Sequence, residues 1–310
     1  VARPPNPVKR TGSHAGFHFL NLYQCCPRKF YYRFLLRWRP KHLASPLALG
    51  SAFHEAKAAW YMGKKYKASF DVGMNVLAES KLELDNLETY NSLVFRFEGL
   101  FSGWVGEFGE NDHREFEYLA VEKELKVPVG NTGFIMTMRP DAVVRSRHSG
   151  LVFIMETKTS GFSHRLTSEA VYYGDQATSY LWGVEKVMGV KPYAVQPDIA
   201  YWNKQSVDPN NRKFIRPDLV FRSEARIAEF EAFTGQLFSE ITQKANAVKQ
   251  GFDGPTLFPR NSYYCLSFST PCEYAEICGT CHGKRCPSFL VKESRAKNLG
   301  ALVADAIAIS

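Results

Sequence analysis

The chain has 310 residues, 45% hydrophobic and 23% charged, an ordinary balance for a globular protein of one large domain or two modest ones. No apolar run reaches the length of a membrane span, and the first twenty residues lack a secretory apolar core, so the expectation is a cytoplasmic protein with no membrane partner. A net charge of +8 favours a polyanionic partner.

Residues 1–13 are rich in proline and basic residues and are expected to be loose. The stretch 17–39 reads as helical with a kink at Cys26-Pro27, because proline cannot continue an unbroken hydrogen-bond ladder. Its aromatics alternate with basic residues, and Arg28 and Lys29 are candidate phosphate contacts. The plainer alternative makes the aromatics core and the basic residues solvated. A second helix is predicted over 47–62, where small residues at 48, 50, 51 and 52 allow close packing and His54 is a candidate ligand. Residues 71–108 show apolar spacing for two or three scaffold helices.

Residues 115–127 alternate as a strand, with Glu122 and Glu124 either on a solvated face or near a metal site. Two further strands, 133–144 and 151–158, are joined by a turn at 148–150. That hairpin brings Asp141 and Glu156 near enough to share one divalent cation. Lys158, two residues beyond Glu156, points to the same face. Ser168 is expected to cap a helix running to about Met188, with Gln176 and Tyr180 on one face. Strands at 193–201 and 214–221 and a long helix over 223–251 follow, then a small apolar tail over 298–310. The chain has no Gly-x-x-x-x-Gly-Lys-Ser/Thr phosphate loop, which excludes an ATP-driven motor.

Two carboxylates and an ammonium on one strand face are costly to bury unless a metal or substrate uses them. A divalent cation held by carboxylates can neutralise phosphoryl oxygens and help activate water, and Lys158 can orient the attacking water or stabilise developing charge. Mg²⁺ and Mn²⁺ both suit oxygen donors, and an imidazole ligand tilts the preference toward Mn²⁺.

In these motifs the chain resembles the PD-(D/E)XK nuclease superfamily, and within it the RecB-type branch that includes CRISPR-adaptation-like iron–sulfur exonucleases. Gly50-x-x-x-His54 looks like the family's histidine motif, Arg139-Pro140-Asp141 its aspartate motif, Glu156-Thr157-Lys158 its acid-x-lysine core, and Gln176-x-x-x-Tyr180 its helix motif. The resemblance implies metal ligation by His54, Asp141, Glu156 and the carbonyl of Thr157. It implies Lys158 as the catalytic lysine, with Gln176 and Tyr180 lining the site and contacting DNA. It also implies an α/β fold: a restriction-endonuclease-like core whose central mixed sheet is flanked by helices, with N-terminal helical additions and a C-terminal cysteine-rich segment. One domain over 14–291 follows, with a helical part (14–110), a catalytic core (111–222), and a long helix with an iron–sulfur segment (223–291). Residues 292–310 form a tail.

The seven cysteines sit at the two ends: Cys25 and Cys26, then Cys265, Cys272, Cys278, Cys281 and Cys286. In a chain read as unexported this suggests metal or cluster binding rather than disulfides. The family includes members whose [4Fe–4S] cluster joins one N-terminal cysteine to three C-terminal ones, which implies Cys26, Cys265, Cys272 and Cys278 here. A departure is that Cys265 and Cys272 have six residues between them where many relatives carry a Cys-x-x-Cys pair. A Cys₄ zinc site from Cys272, Cys278, Cys281 and Cys286 is the alternative.

The expected activity is a metal-dependent deoxyribonuclease acting as an exonuclease on single strands or DNA ends, in a bacterial, archaeal or phage-infected cell. The alternatives are an accessory module working within a recombination or CRISPR complex or a homo-oligomer, and a site-specific endonuclease.

Overall fold

The computed structural model describes residues 16–40, 45–81, 84, 86–161, 163–203, 212–267, 270–280 and 290–292. The expected loose N-terminus, most of the tail, Cys281 and Cys286 lie outside the described residues. No helix among the described residues is long and apolar enough to cross a membrane.

The chain opens with α1 (Phe17–Cys25) and α2 (Pro27–Phe30), the latter continuing as π-helix over Tyr31–Leu35. Cys26 between them is extended, at φ −158° and ψ 101°, and Pro27 starts the new helix where its missing N–H costs nothing. A short strand β1 (Trp38–Pro40) follows, then α3 (Ser45–Tyr61), α4 (Tyr66–Ser80), α5 (Leu87–Trp104), a π segment over Val105–Gly109 and α6 (Glu110–Glu115).

The predicted strands 115–127 and 133–144 are each broken in two. They become β2 (Phe116–Val121) and β3 (Leu125–Pro128), then β4 (Ile135–Met138) and β5 (Ala142–Ser146). Pro140 supplies no N–H to a ladder, and Glu122 adopts φ +48°. At these two breaks the paired chains leave the main sheet and form a separate β3–β4 ribbon. The breaks are fastened to each other, the Glu122 amide donating to the Asp141 carbonyl at 3.0 Å.

After β6 (Val152–Ser160) the helix expected to start at Ser168 starts earlier and is interrupted. Ser163 caps α7 (His164–Tyr173), and the Ser168 hydroxyl instead donates back to the His164 carbonyl. Gly174 separates α7 from α8 (Asp175–Met188), which ends on the left-handed Gly189 at φ +67°. The parallel strand β7 (Ala194–Trp202) comes next. The strand predicted over 214–221 is shifted: β8 covers Arg212–Ile215, and Val220 makes only an isolated bridge to Val195. Then α9 (Glu224–Lys249), capped by Ser223, and the single turn α10 (Gly254–Leu257) lead to β9 (Leu266–Ser267), β10 (Thr270–Pro271), α11 (Ala275–Thr280) and β11 (Leu290–Lys292).

The central sheet runs β2-β5-β6-β7-β8, with β6 and β7 parallel and the other neighbours antiparallel. Alternation along its strands divides the apolar side chains between two cores. Val143, Val152, Ile154 and Val195 face a layer that includes residues of α1, α8 and α9. Ala142, Val144, Met155 and Ala200 face α3 and α5. The same alternation sorts the polar end of β6, where Thr157 points to α3 while Glu156 and Lys158 point to the opposite side, toward α8.

Candidate functional site

Helix α3 reaches the sheet because Gly50 lets it approach: a Cβ there would stand 3.2 Å from Thr159 Oγ1 on β6. One turn later His54 comes over the break between β4 and β5. Its Nδ1 lies 2.9 Å from Asp141 Oδ1 and 3.9 Å from Glu122 Oε1. Among the described residues, His54, Glu122 and Asp141 form the one group of three whose ligand atoms all lie within 4.8 Å of one another. Glu122 owes its place to the bend with φ +48°, which turns the end of β2 toward the β4–β5 break.

The sequence left Glu122 undecided between this site and a solvated face. It expected Glu156 in the ligand group instead. Glu156 lies beside the three, but its Oε1 is 2.5 Å from Lys158 Nζ. Its Oε2 is buried with no hydrogen-bond partner among the described residues.

Asp141 is anchored from two sides, since its Oδ2 also accepts from the Thr157 amide at 2.6 Å. Burial alone would raise its carboxyl, but His54, Lys57 and the Thr157 amide outweigh that and hold it well below the usual carboxylate range. Glu156 behaves oppositely. Burial, reinforced by the Asp141 charge, pushes its carboxyl up to about 7 despite the Lys158 ammonium. Burial disfavours the Lys158 charge, yet Glu156 reverses the direction and keeps the ammonium protonated.

A hydrogen-bond chain extends from Lys158 across α8. Lys158 Nζ donates to Gln176 Oε1 at 2.8 Å, and Gln176 Nε2 donates to the Tyr180 hydroxyl at 3.0 Å. Tyr180 donates to the Arg139 carbonyl at 3.2 Å. The four-residue spacing of Gln176 and Tyr180 thus bridges the acid-x-lysine strand to the break that presents Asp141.

The cysteine segment lies elsewhere, where Cys26 and α2 meet residues 258–273. Cys26 is buried and its Sγ accepts from the Asn261 amide at 3.5 Å; the Cys272 amide donates to the Cys265 carbonyl at 2.9 Å. Burial raises the Cys272 and Cys278 thiols. Arg28 and Lys29, expected to contact nucleic acid, are engaged within the chain. Arg28 donates to the Phe258 carbonyl at 2.8 Å and the Pro255 carbonyl at 2.5 Å, while Lys29 pairs with Glu273 at 3.2 Å. They fasten the C-terminal segment onto α2.

A sequence model of the PD-(D/E)XK nuclease superfamily matches residues 18–279. Among solved structures, a candidate exonuclease from Eubacterium rectale aligns over 92% of both chains at 14% identity and TM-score 0.48. An alkaline exonuclease from Laribacter hongkongensis covers 64% of this chain and 94% of its own at 15% identity and TM-score 0.31. No curated protein matches the chain.

Proposed function

The chain belongs to the PD-(D/E)XK nuclease superfamily, and on that premise we propose a divalent-metal-dependent DNA exonuclease that acts on single strands or duplex ends. The observation that carries the metal is the convergence of His54, Glu122 and Asp141 beside a buried Glu156 oxygen lacking a hydrogen-bond partner among the described residues. A buried, unsatisfied carboxylate oxygen is expensive, and a cation satisfies it. The mixed donor set, one imidazole with carboxylates, fits Mn²⁺ better than Mg²⁺. His54, Glu122, Asp141 and Glu156 would hold the ion, and the Thr157 carbonyl would complete the ligand set implied by the family motif. A bound ion supplies Lewis acidity at the scissile phosphate.

The side chains do the rest. Lys158, held between Glu156 and Gln176, presents an ammonium to charge developing on the phosphoryl group. Gln176 and Tyr180 keep that lysine and the Arg139–Asp141 break in fixed relation. The test is cleavage of end-labelled single- and double-stranded DNA by the full chain with Mn²⁺ or Mg²⁺. Mononucleotide release supports the exonuclease. Discrete bands indicate a site-specific endonuclease, and tight binding without turnover indicates a module that needs a complex.

Metal binding is expected to depend on pH through Glu156. Below about 7 its carboxyl carries a proton in the metal-free protein. The ion needs the carboxylate, so affinity falls as pH drops, by up to roughly tenfold per pH unit for one proton. Calorimetric Mn²⁺ titrations at pH 6 and pH 8 check this, and equal affinities would reject Glu156 as a ligand.

We further propose that Cys26, Cys265, Cys272 and Cys278 hold a [4Fe–4S] cluster joining the two ends of the chain. The meeting of the Cys26 and Cys265–Cys278 segments supports this, and bound iron would hold the four as thiolates against the burial that raises Cys272 and Cys278. Anaerobically purified protein is expected to be brown, with iron and acid-labile sulfide lost in Cys26→Ala. Colourless protein carrying one zinc would sink the cluster and favour the Cys₄ zinc site.

A further inference from the structure

Behind the proposed metal site lies a second set of charges that metal binding does not explain. Lys57, one turn past His54 on α3, is only 2% exposed. Its ammonium donates to Thr157 Oγ1 at 2.6 Å and to Asp198 Oδ2 at 2.6 Å, and stands 4.6 Å from the centre of the Trp104 ring. Asp198, which faces Thr157 across the β6–β7 ladder, also accepts from Trp104 Nε1 at 3.0 Å and Arg216 Nη2 at 3.2 Å. An ammonium buried this deeply is a poor device for stability alone, because a packed apolar side chain would often serve as well.

Thr157 is what the ammonium reaches. On the α3 side of β6 its hydroxyl accepts from Lys57, and its backbone amide donates to Asp141 Oδ2 at 2.6 Å. Its chain neighbours are Glu156 and Lys158. Two short hydrogen bonds therefore connect a buried network to the carboxylate at the centre of the ligand group. Building on the nuclease reading of the site, we propose that Lys57 is a positioning residue. Through Thr157 it sets the placement of the Glu156–Lys158 strand end against Asp141, and so the shape of the ion's ligand set. It touches neither substrate nor ion.

Thr157→Val separates this role from a purely structural salt bridge, since it removes the hydroxyl acceptor and leaves Lys57 on Asp198. The variants are compared with the full wild-type chain by thermal unfolding, by calorimetry with MnCl₂ alone, and by steady-state cleavage of labelled single-stranded DNA. Thr157→Val is expected to weaken Mn²⁺ binding by about 10–100-fold, the range for losing a group that orients a metal ligand, and to lower kcat at unchanged KM. A Lys57→Met/Asp198→Asn double variant removes both charges together. It is expected to recover the unfolding temperature lost in Lys57→Met and none of the lost rate or Mn²⁺ affinity. Thr157→Val with wild-type Mn²⁺ affinity and rate overturns the proposal, as does a double variant that recovers the rate; if Thr157→Val does not fold, the double variant decides. A wild-type chain that neither binds Mn²⁺ nor cleaves DNA removes the nuclease reading of the site, and the positioning role with it.

Discussion

Lys158→Ala is expected to slow DNA cleavage at saturating Mn²⁺ by roughly 10²–10³-fold, the usual loss when one preorganised donor is removed from a site of developing charge. The size of the effect follows from how the ammonium is held. Glu156 Oε1 at 2.5 Å and Gln176 Oε1 at 2.8 Å fix it from two directions, so little reorganisation is needed when charge appears on the substrate. The side chain is 31% exposed, so truncation opens no cavity in either core and the fold is expected to survive. Removal has a second effect, because Glu156 loses the cation that opposes its burial and its carboxyl rises further. The variant should therefore bind Mn²⁺ more weakly at neutral pH and recover binding, though not rate, at higher pH. Asp141→Ala is expected to behave differently: it removes the group that joins His54 to the Thr157 amide, so Mn²⁺ binding is expected to be lost at every pH. Wild-type turnover by Lys158→Ala with Mn²⁺ would exclude the proposed mechanism.

Arg216→Ala is expected to destabilise the protein by about 3–5 kcal/mol, the cost of breaking a buried ion pair from one side. In a chain of this size that lowers the unfolding temperature by about 5–8 °C. Arg216 donates to both oxygens of Asp112, at 2.7 Å and 2.6 Å, and to Asp198 at 3.2 Å. The two acids are 1% exposed, so removing the guanidinium leaves negative charge in the core with Lys57 as its ion-pair partner among the described residues. The guanidinium also lies 4.2 Å from the centre of the Phe108 ring, and the substitution abolishes that cation–π attraction as well. Thermal unfolding in parallel with Arg216→Lys checks the geometry. Lysine keeps the charge but cannot bond both Asp112 oxygens at once, so it should recover only part of the loss. A change under about 1 kcal/mol for Arg216→Ala, the size of an exposed pair, would mean that Asp112 and Asp198 find water instead.

Much of the candidate site was legible because its chemistry is carried by residue type and short spacing. Glu156 and Lys158 share a strand face by period-2 alternation, and Gln176 and Tyr180 share a helix face by their four-residue spacing. The break at Cys26 followed from Pro27, and the long helix α9 from its apolar spacing and Ser223. Glu122 was harder. Its letter says only that it is acidic, and its value depends on a positive φ that no local preference of glutamate demands. The fastening role of Arg28 was not legible, because its acceptors, the carbonyls of Pro255 and Phe258, lie more than two hundred residues away. The long strands predicted across 115–127 and 133–144 failed for a related reason: alternation continues through both breaks, while the pairing partner changes from the main sheet to the β3–β4 ribbon.

By itself the sequence determined the α/β class, the family and the order of the acid, lysine and histidine motifs. These depend on hydrophobic period and on chemistry written into neighbouring residues. Only the tertiary structure decided that His54, Glu122 and Asp141 converge, that Glu156 leans on Lys158, and that Lys57, Asp198, Arg216 and Asp112 form one buried network. The reason is physical. A charged side chain's role is set by what surrounds it after burial, and those surroundings come from α3, α6, the breaks after β2 and before β5, β6, β7 and the loop after β8, segments that meet only when the sheet is assembled.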